Sequence, residues 1–261
     1  KPLPWFKTAY FDSPHNTWGV IGRMAGEVLL FRSLFRNVRG EVREGPRLTF
    51  ASSKWLWLAG ILFHYTFLTI VLRHMRFFLE PVPSVIELIT SVDGFFQILV
   101  PTVFLTDIAF LVAAGFLFLR RVVIPQLRYL SLPADYFALF LILAIGISGV
   151  LMRQFIKVDL LKVKELTVSL ASFSPVQPDG IGLIFYVHLF LVSCLVAYFP
   201  FSKLMHAPGV FLSPTRNLAN DTRMRRHINP WNYPVKVHTY EEYEDEFRAK
   251  MKEVGLPVEK E

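Results

Sequence analysis

Four stretches of this chain are apolar almost without interruption, and polar residues crowd between them. Residues 55–79, 97–119, 136–156 and 181–204 each reach the roughly 20 helical residues needed to cross a hydrocarbon core. Their interruptions are few: Asp107 in the second, Arg153 near the end of the third, Pro200 near the end of the fourth. The apolar positions are not confined to one stripe, which suits helices that face lipid and one another. The pattern predicts an all-α integral membrane protein, an antiparallel bundle of four transmembrane helices. Residues 55–206 form the membrane domain, 1–54 a segment before it and 207–261 an arm after it.

Two further segments have helical periodicity without the apolar length to span. Residues 16–38 place Ile21, Met24, Ala25, Val28, Phe35 and Val38 near one face, and residues 157–173 do the same with Leu160, Val163, Leu166 and Leu170. Both are expected to be surface helices at a membrane interface or against a partner. The charged end, 240–261, lacks sustained apolar periodicity and is expected to be an extended or disordered arm.

Composition strengthens the membrane reading. Hydrophobic residues make up 53% of the 261 and charged residues 19%, with 25 phenylalanines. Such a balance is rare in a soluble domain. The distribution of the +7 net charge sets an orientation. Residues before the first run carry Arg32, Arg36, Arg39, Arg43 and Arg47. The next loop carries Glu80, Glu87 and Asp93 without Lys or Arg, and the following one Arg120, Arg121 and Arg128. The loop after the third run is mixed, and the tail is basic with Lys203, Arg216, Arg223, Arg225 and Arg226. By the positive-inside rule the first, third and last of these regions are cytoplasmic. Basic loops beside spans meet lipid headgroups, and no nucleic acid partner is implied. The chain opens at Lys1 rather than Met, as expected of a longer protein trimmed ahead of this point. Nothing at its visible start looks like a signal peptide.

The candidate chemistry lies in four histidines. His64 and His74 belong to the first run, and His188 and His206 lie in or just after the fourth. Imidazole is the common axial ligand of haem iron. On a helix the ten residues from His64 to His74 cover about 15 Å and miss perfect phase by about 80°, while the eighteen from His188 to His206 cover about 27 Å in five full turns. The two helices run oppositely, so pairing is crossed: His64 with His206 on the cytoplasmic side, His74 with His188 on the outer side. The spans differ by about 12 Å, an offset of roughly 6 Å at each haem, with the irons about 20 Å apart. Pro200 lacks the N–H that would bond Val196, so the last turns can bend His206 inward. Two bis-histidine haems would make the chain a path for electrons.

Cys-x-x-Cys-His does not occur, so such haems are b-type. The single Cys194 excludes an internal disulfide and a cysteine-rich cluster. Arg73, Arg76, Arg153 and Lys203 are candidate partners for haem propionates or quinol, and each also suits a lipid headgroup. Asp107 inside a span marks a functional or packed polar site. A transporter or proton channel using Asp107 and the buried histidines, and a haem-free membrane anchor, are the competing readings. Hydrolase triads, Walker loops and zinc clusters have no counterpart here.

The ten- and eighteen-residue histidine spacings resemble the gamma subunit of respiratory nitrate reductase, a di-haem b quinol oxidase. More specific stretches resemble the DsrM branch. These are Gly22-Arg23-Met24, the run from Glu27 to Arg36, the run Ser131-Leu132-Pro133-Ala134-Asp135-Tyr136-Phe137, the segment Phe185 to Leu191 around His188, the segment Phe199 to His206, and Phe211-Leu212-Ser213-Pro214-Thr215-Arg216-Asn217. The resemblance extends to about Trp231. It implies two haem b groups and electron exchange with menaquinol. It also implies a cytoplasmic iron–sulfur partner of the heterodisulfide reductase type (DsrK), acting on the sulfur carrier DsrC, and further subunits of a membrane complex in sulfur metabolism. An additional N-terminal span is implied as well. In the nitrate reductase relatives a lysine after the first histidine helix belongs to the quinol site. Loop 80–96 has none, so the quinol pocket is expected beside the outer haem near His74, with Arg73, Arg76 and Glu80 as lining.

Overall fold

The computed structural model describes residues 7, 9–45, 47–98, 103–221 and 237–260. Arg223, Arg225, Arg226 and His227 fall outside them. The described residues fall into two units, one spanning 9–219 and another that includes 237–260.

The larger unit opens with α1 (Thr17–Leu30). Its first turn is capped by the Asn16 side chain, which accepts from Gly19 N at 2.8 Å. Phe31, in the left-handed conformation at φ 48°, ends it and turns the chain into the short α2 (Arg32–Arg36). Glu27 fixes this corner by accepting from both the N–H and the hydroxyl of Ser33. A hairpin of β1 (Val38–Arg43) and β2 (Arg47–Ser52) follows, antiparallel with Val38 opposite Ser52. The all-α expectation did not include it. Alternation of Val38, Gly40 and Val42 against Arg39 and Glu41 was its signal.

The apolar runs become α3 (Lys54–His74, continued by a 3-10 turn to Phe77), α5 (Leu105–Val123), α7 (Pro133–Gln154) and α9 (Leu183–Tyr198). Among the described residues, three helices are long and apolar enough to cross a membrane: 54–77, 133–154 and 183–201. The second run differs from the expected span. Its helix begins only at Leu105, because Gln97–Ile98 (β3) pairs with Val103–Phe104 (β4), and it carries Asp107, Arg120 and Arg121. Loop 80–96 contains α4 (Ser84–Phe95), and α6 (Pro125–Leu130) links α5 to α7.

Packing runs in series, α3 on α5, α5 on α7 and α7 on α9. Phe63, Phe110, Ala113, Ala114 and Ile142 form the core between the first three. Gly146 permits this approach, since a Cβ there would lie 2.6 Å from the Phe110 ring and 2.9 Å from Leu111. A second core joins Val163 and Leu166 of α8 (Leu160–Ala171) to Phe185 of α9. Asp159 caps α8 by accepting from Leu161 N and Lys162 N. After α9 come two 3-10 turns, at 199–201 and 203–205, then α10 (His206–Gly209), a further 3-10 turn and α11 (Pro214–Asn217). The eighteen residues from His188 to His206 are therefore not one continuous helix.

The smaller unit carries α12 (Tyr240–Glu253), where an extended arm was expected. Thr239 and Glu242 form a reciprocal capping box at its start. Glu244, 2% exposed, accepts from the N–H groups of Glu259 and Lys260 at 2.9 Å each and ties the chain end back to the helix.

Candidate functional site: two histidine pairs

The histidines of α3 meet those that follow from α9 in crossed pairs. The His64 and His206 rings lie 5.9 Å apart, centre to centre, with their planes at 89°. His74 and His188 lie 6.5 Å apart with planes at 22°. The break of the chain at Phe199–Met205 is what turns His206 toward α3.

Hydrogen bonding leaves the same face of each ring open. Nδ1 of His64 bonds the Gly60 carbonyl at 2.7 Å, that of His74 the Ile70 carbonyl at 2.7 Å, and that of His206 the Lys203 carbonyl at 2.9 Å. A carbonyl can only accept, so Nδ1 carries the proton and the Nε2 lone pair is free. His188 reaches another helix instead. Its Nδ1 lies 2.8 Å from Ser148 Oγ, with the Ile145 carbonyl alongside; when Nε2 is the ligating nitrogen, Nδ1 carries the proton and donates to this pair of oxygens. This is the arrangement of metal-ligating histidines, whose second nitrogen is held by a hydrogen bond.

The separations fit an axial pair. Two metal–imidazole bonds of about 2 Å, with about 1 Å more to each ring centre, place the centres roughly 6 Å apart. Among the described residues no three His, Cys, Asp or Glu side chains gather as for a bare metal ion. The donors come in twos, which suits a metal whose remaining positions a macrocycle fills. Aromatic edges line the first pair: Phe31 and Phe63 stand edge-on to His64 at 5.0 and 5.1 Å. The α1 corner is held there by Tyr65 and Trp57, which donate to the Leu29 and Leu30 carbonyls at 2.8 Å.

The cations expected near the pairs divide by what they touch. Arg73 is 6% exposed and bonds Asp93 and Asp107, which are 4% and 9% exposed. Thr106 donates to the same Asp93 carboxylate at 2.8 and 3.0 Å. Phe104 lies between two guanidiniums, with Arg73 Cζ 4.2 Å and Arg153 Cζ 3.4 Å from its centre. Arg76 stacks on Phe77 at 4.8 Å. Lys203 pairs with Asp135 at 2.9 Å, and Asp135 also accepts from Leu132 N at the start of α7. Glu80 pairs with Lys164 of α8, a lysine that loop 80–96 itself lacks. Sequence reasoning missed Ser148, Asp93 and Lys164. Each reaches its partner from a distant element, and only the isolated polar character of Ser148 within an apolar run was a signal.

The model of the nitrate reductase gamma subunit family matches residues 17–227. The chain belongs to that family. Within it, the chain is 49% identical over 239 residues to the "Hdr-like menaquinol oxidoreductase cytochrome b-like subunit" of Archaeoglobus fulgidus, covering 89% of this chain and 71% of that protein. It is 42% identical over 225 residues to the protein of the same description from Archaeoglobus profundus, covering 85% and 66%. The chain thus spans about two thirds of the length of such family members. The family match takes in both histidine pairs and every helix from α1 to α11.

Proposed function

We propose that this chain is the membrane cytochrome b subunit of a menaquinol oxidoreductase, carrying electrons through two bis-histidine b haems. The supporting observation is the pair of histidine couples, each at axial-ligand spacing and each ring held through Nδ1 with Nε2 free. His64 and His206 hold the inner haem, His74 and His188 the outer one. When bound, the haems supply one-electron redox chemistry that side chains cannot. The protein's part is to fix the ring planes, exclude water and neutralise the propionates. Arg76 and Arg153 suit that last task, because each lies against an aromatic ring and Asp107 and Asp93 act on Arg153 only from beyond salt-bridge distance. Arg73 is engaged by Asp93 and Asp107, so its contribution is to lock α3 to α4 and α5 beside His74. The same bonds occupy Asp107, on which a proton-channel reading would rest.

Menaquinol binds beside the outer haem, with Arg76 and the Glu80–Lys164 pair as lining. Its oxidation to menaquinone releases two protons outside and passes two electrons inward. They leave on the cytoplasmic side to an iron–sulfur partner of the heterodisulfide reductase type, the DsrK type, in a sulfur-metabolising complex of a prokaryotic plasma membrane. The "Hdr-like" description of the Archaeoglobus relatives and the DsrM resemblance support that partner.

The test is the dithionite-reduced spectrum of the purified chain with haem quantified as the pyridine haemochrome. Two b haems per chain are expected. A colourless protein, or one whose iron is retained after loss of these histidines, overturns the reading.

A further inference from the structure

Three of the four histidines take their Nδ1 partner from a main-chain carbonyl three or four residues earlier on their own segment. His188 alone among them is held from a neighbouring helix, by the Ser148 hydroxyl with the Ile145 carbonyl beside it. Ser148 is 5% exposed and lies on α7, forty residues away. Its own proton is committed to the Ile145 carbonyl. The next residue, Gly149, lets α7 approach the imidazole: a Cβ there would lie 3.5 Å from Cε1 of His188. The ring is thus positioned by α7 rather than by α9, and it stands at 22° to His74, where the other pair stands at 89°.

We infer that Ser148 is the positioning residue of the outer haem, fixing the His188 ring plane and setting that haem's potential apart from the inner one. The inference rests on the di-haem reading above. An acceptor on Nδ1–H makes the imidazole a stronger donor to ferric iron. A hydroxyl whose proton is already given to a carbonyl is such an acceptor, and its loss raises the potential. The loss also removes a restraint on the ring plane. Near-parallel imidazole planes give a rhombic low-spin ferric spectrum, and near-perpendicular planes give one with a large principal g value. The two haems are therefore distinguishable by electron paramagnetic resonance.

The experiment compares wild type, Ser148→Ala and Ser148→Thr in the purified, haem-loaded full chain, by optical redox titration and electron paramagnetic resonance. In Ser148→Ala, the rhombic signal moves and one midpoint rises. The ferrous-to-ferric ratio of that haem at fixed potential changes by roughly fivefold, the equivalent of about one net hydrogen bond. The second signal and midpoint stay, and Ser148→Thr, which keeps the hydroxyl, restores the first. Selective loss of the rhombic haem in Ser148→Ala, with the other retained, also supports the inference. Two loaded haems with both signals and both midpoints unmoved overturn it while leaving the di-haem reading intact. Wild type without haem sinks that reading, and this inference with it.

Discussion

Asp107 takes a hydrogen bond at 2.7 Å from Arg73, 34 residues earlier in the chain, and both groups are withdrawn from solvent. Asp93 holds the other guanidinium nitrogen. Removing the cation from a buried cluster of one cation and two anions costs more than removing either anion. Arg73→Gln leaves two buried carboxylates with only the more distant charge of Arg153, whereas Asp107→Asn leaves Arg73 still paired with Asp93. The first substitution is expected to cost about 3–5 kcal/mol and the second about 2 kcal/mol. Unfolding of the purified variants in detergent orders them. Equal losses would show that the two carboxylates do not share one cation.

Crossed pairing predicts a definite pattern of haem loss. His64→Leu and His206→Leu each remove the same haem, about half of the total, and the double variant loses no more than either single one, as strongly coupled partners require. His74→Leu with His188→Leu behaves likewise for the other haem. Haem content and the reduced spectrum decide it. Loss of different haems from His64→Leu and His206→Leu would mean that the pairing is not crossed.

Gly146 and Gly115 should respond oppositely to alanine. At Gly146 the new methyl would lie 2.6 Å from Phe110, in the seam between α5 and α7. Overpacking of this kind costs about 1–3 kcal/mol. At Gly115, on α5, nothing lies within 4 Å of the added carbon. That change gains up to about 1 kcal/mol of helix propensity. Thermal midpoints of the two variants should fall on opposite sides of wild type.

The C-terminal clasp should loosen in acid. The N–H groups of Glu259 and Lys260, with a smaller contribution from Arg248, hold the Glu244 carboxyl below its ordinary value of 4.5. A carboxyl depressed in the folded state stabilises above the ordinary value, and that stabilisation is lost as pH falls through the lowered one. Amide exchange at Glu259 and Lys260, corrected for intrinsic rates, should therefore accelerate below the usual carboxylate range. Glu244→Gln should show faster exchange already at neutral pH and no acid step. Identical profiles for the two proteins would remove Glu244 from the clasp.

The sequence exposes what depends on local period and hides what depends on distant partners. Apolar runs located α3, α7 and α9 within a few residues, because a helix in lipid is written in consecutive side chains. Histidine spacing anticipated which rings stand close together, because antiparallel helices leave few ways to pair four side chains. The start of α5 was misplaced because β3 and β4 occupy part of an apolar stretch, a choice made by pairing rather than by hydropathy. The end helix α12 was missed because it has little apolar face to recognise. Yet Thr239 and Glu242 spell a capping box that would have revealed it. Arg73 looked available for a propionate because Asp93 and Asp107 are its neighbours only in three dimensions.

The source of each imidazole's restraint also bears on biogenesis. His64 and His74 are oriented by carbonyls one turn back, so their half-sites exist as soon as α3 has formed. His188 acquires its restraint only when α7 arrives. The couple it completes therefore draws on three helices, where the His64–His206 couple takes both restraints from carbonyls of the segments that carry its rings.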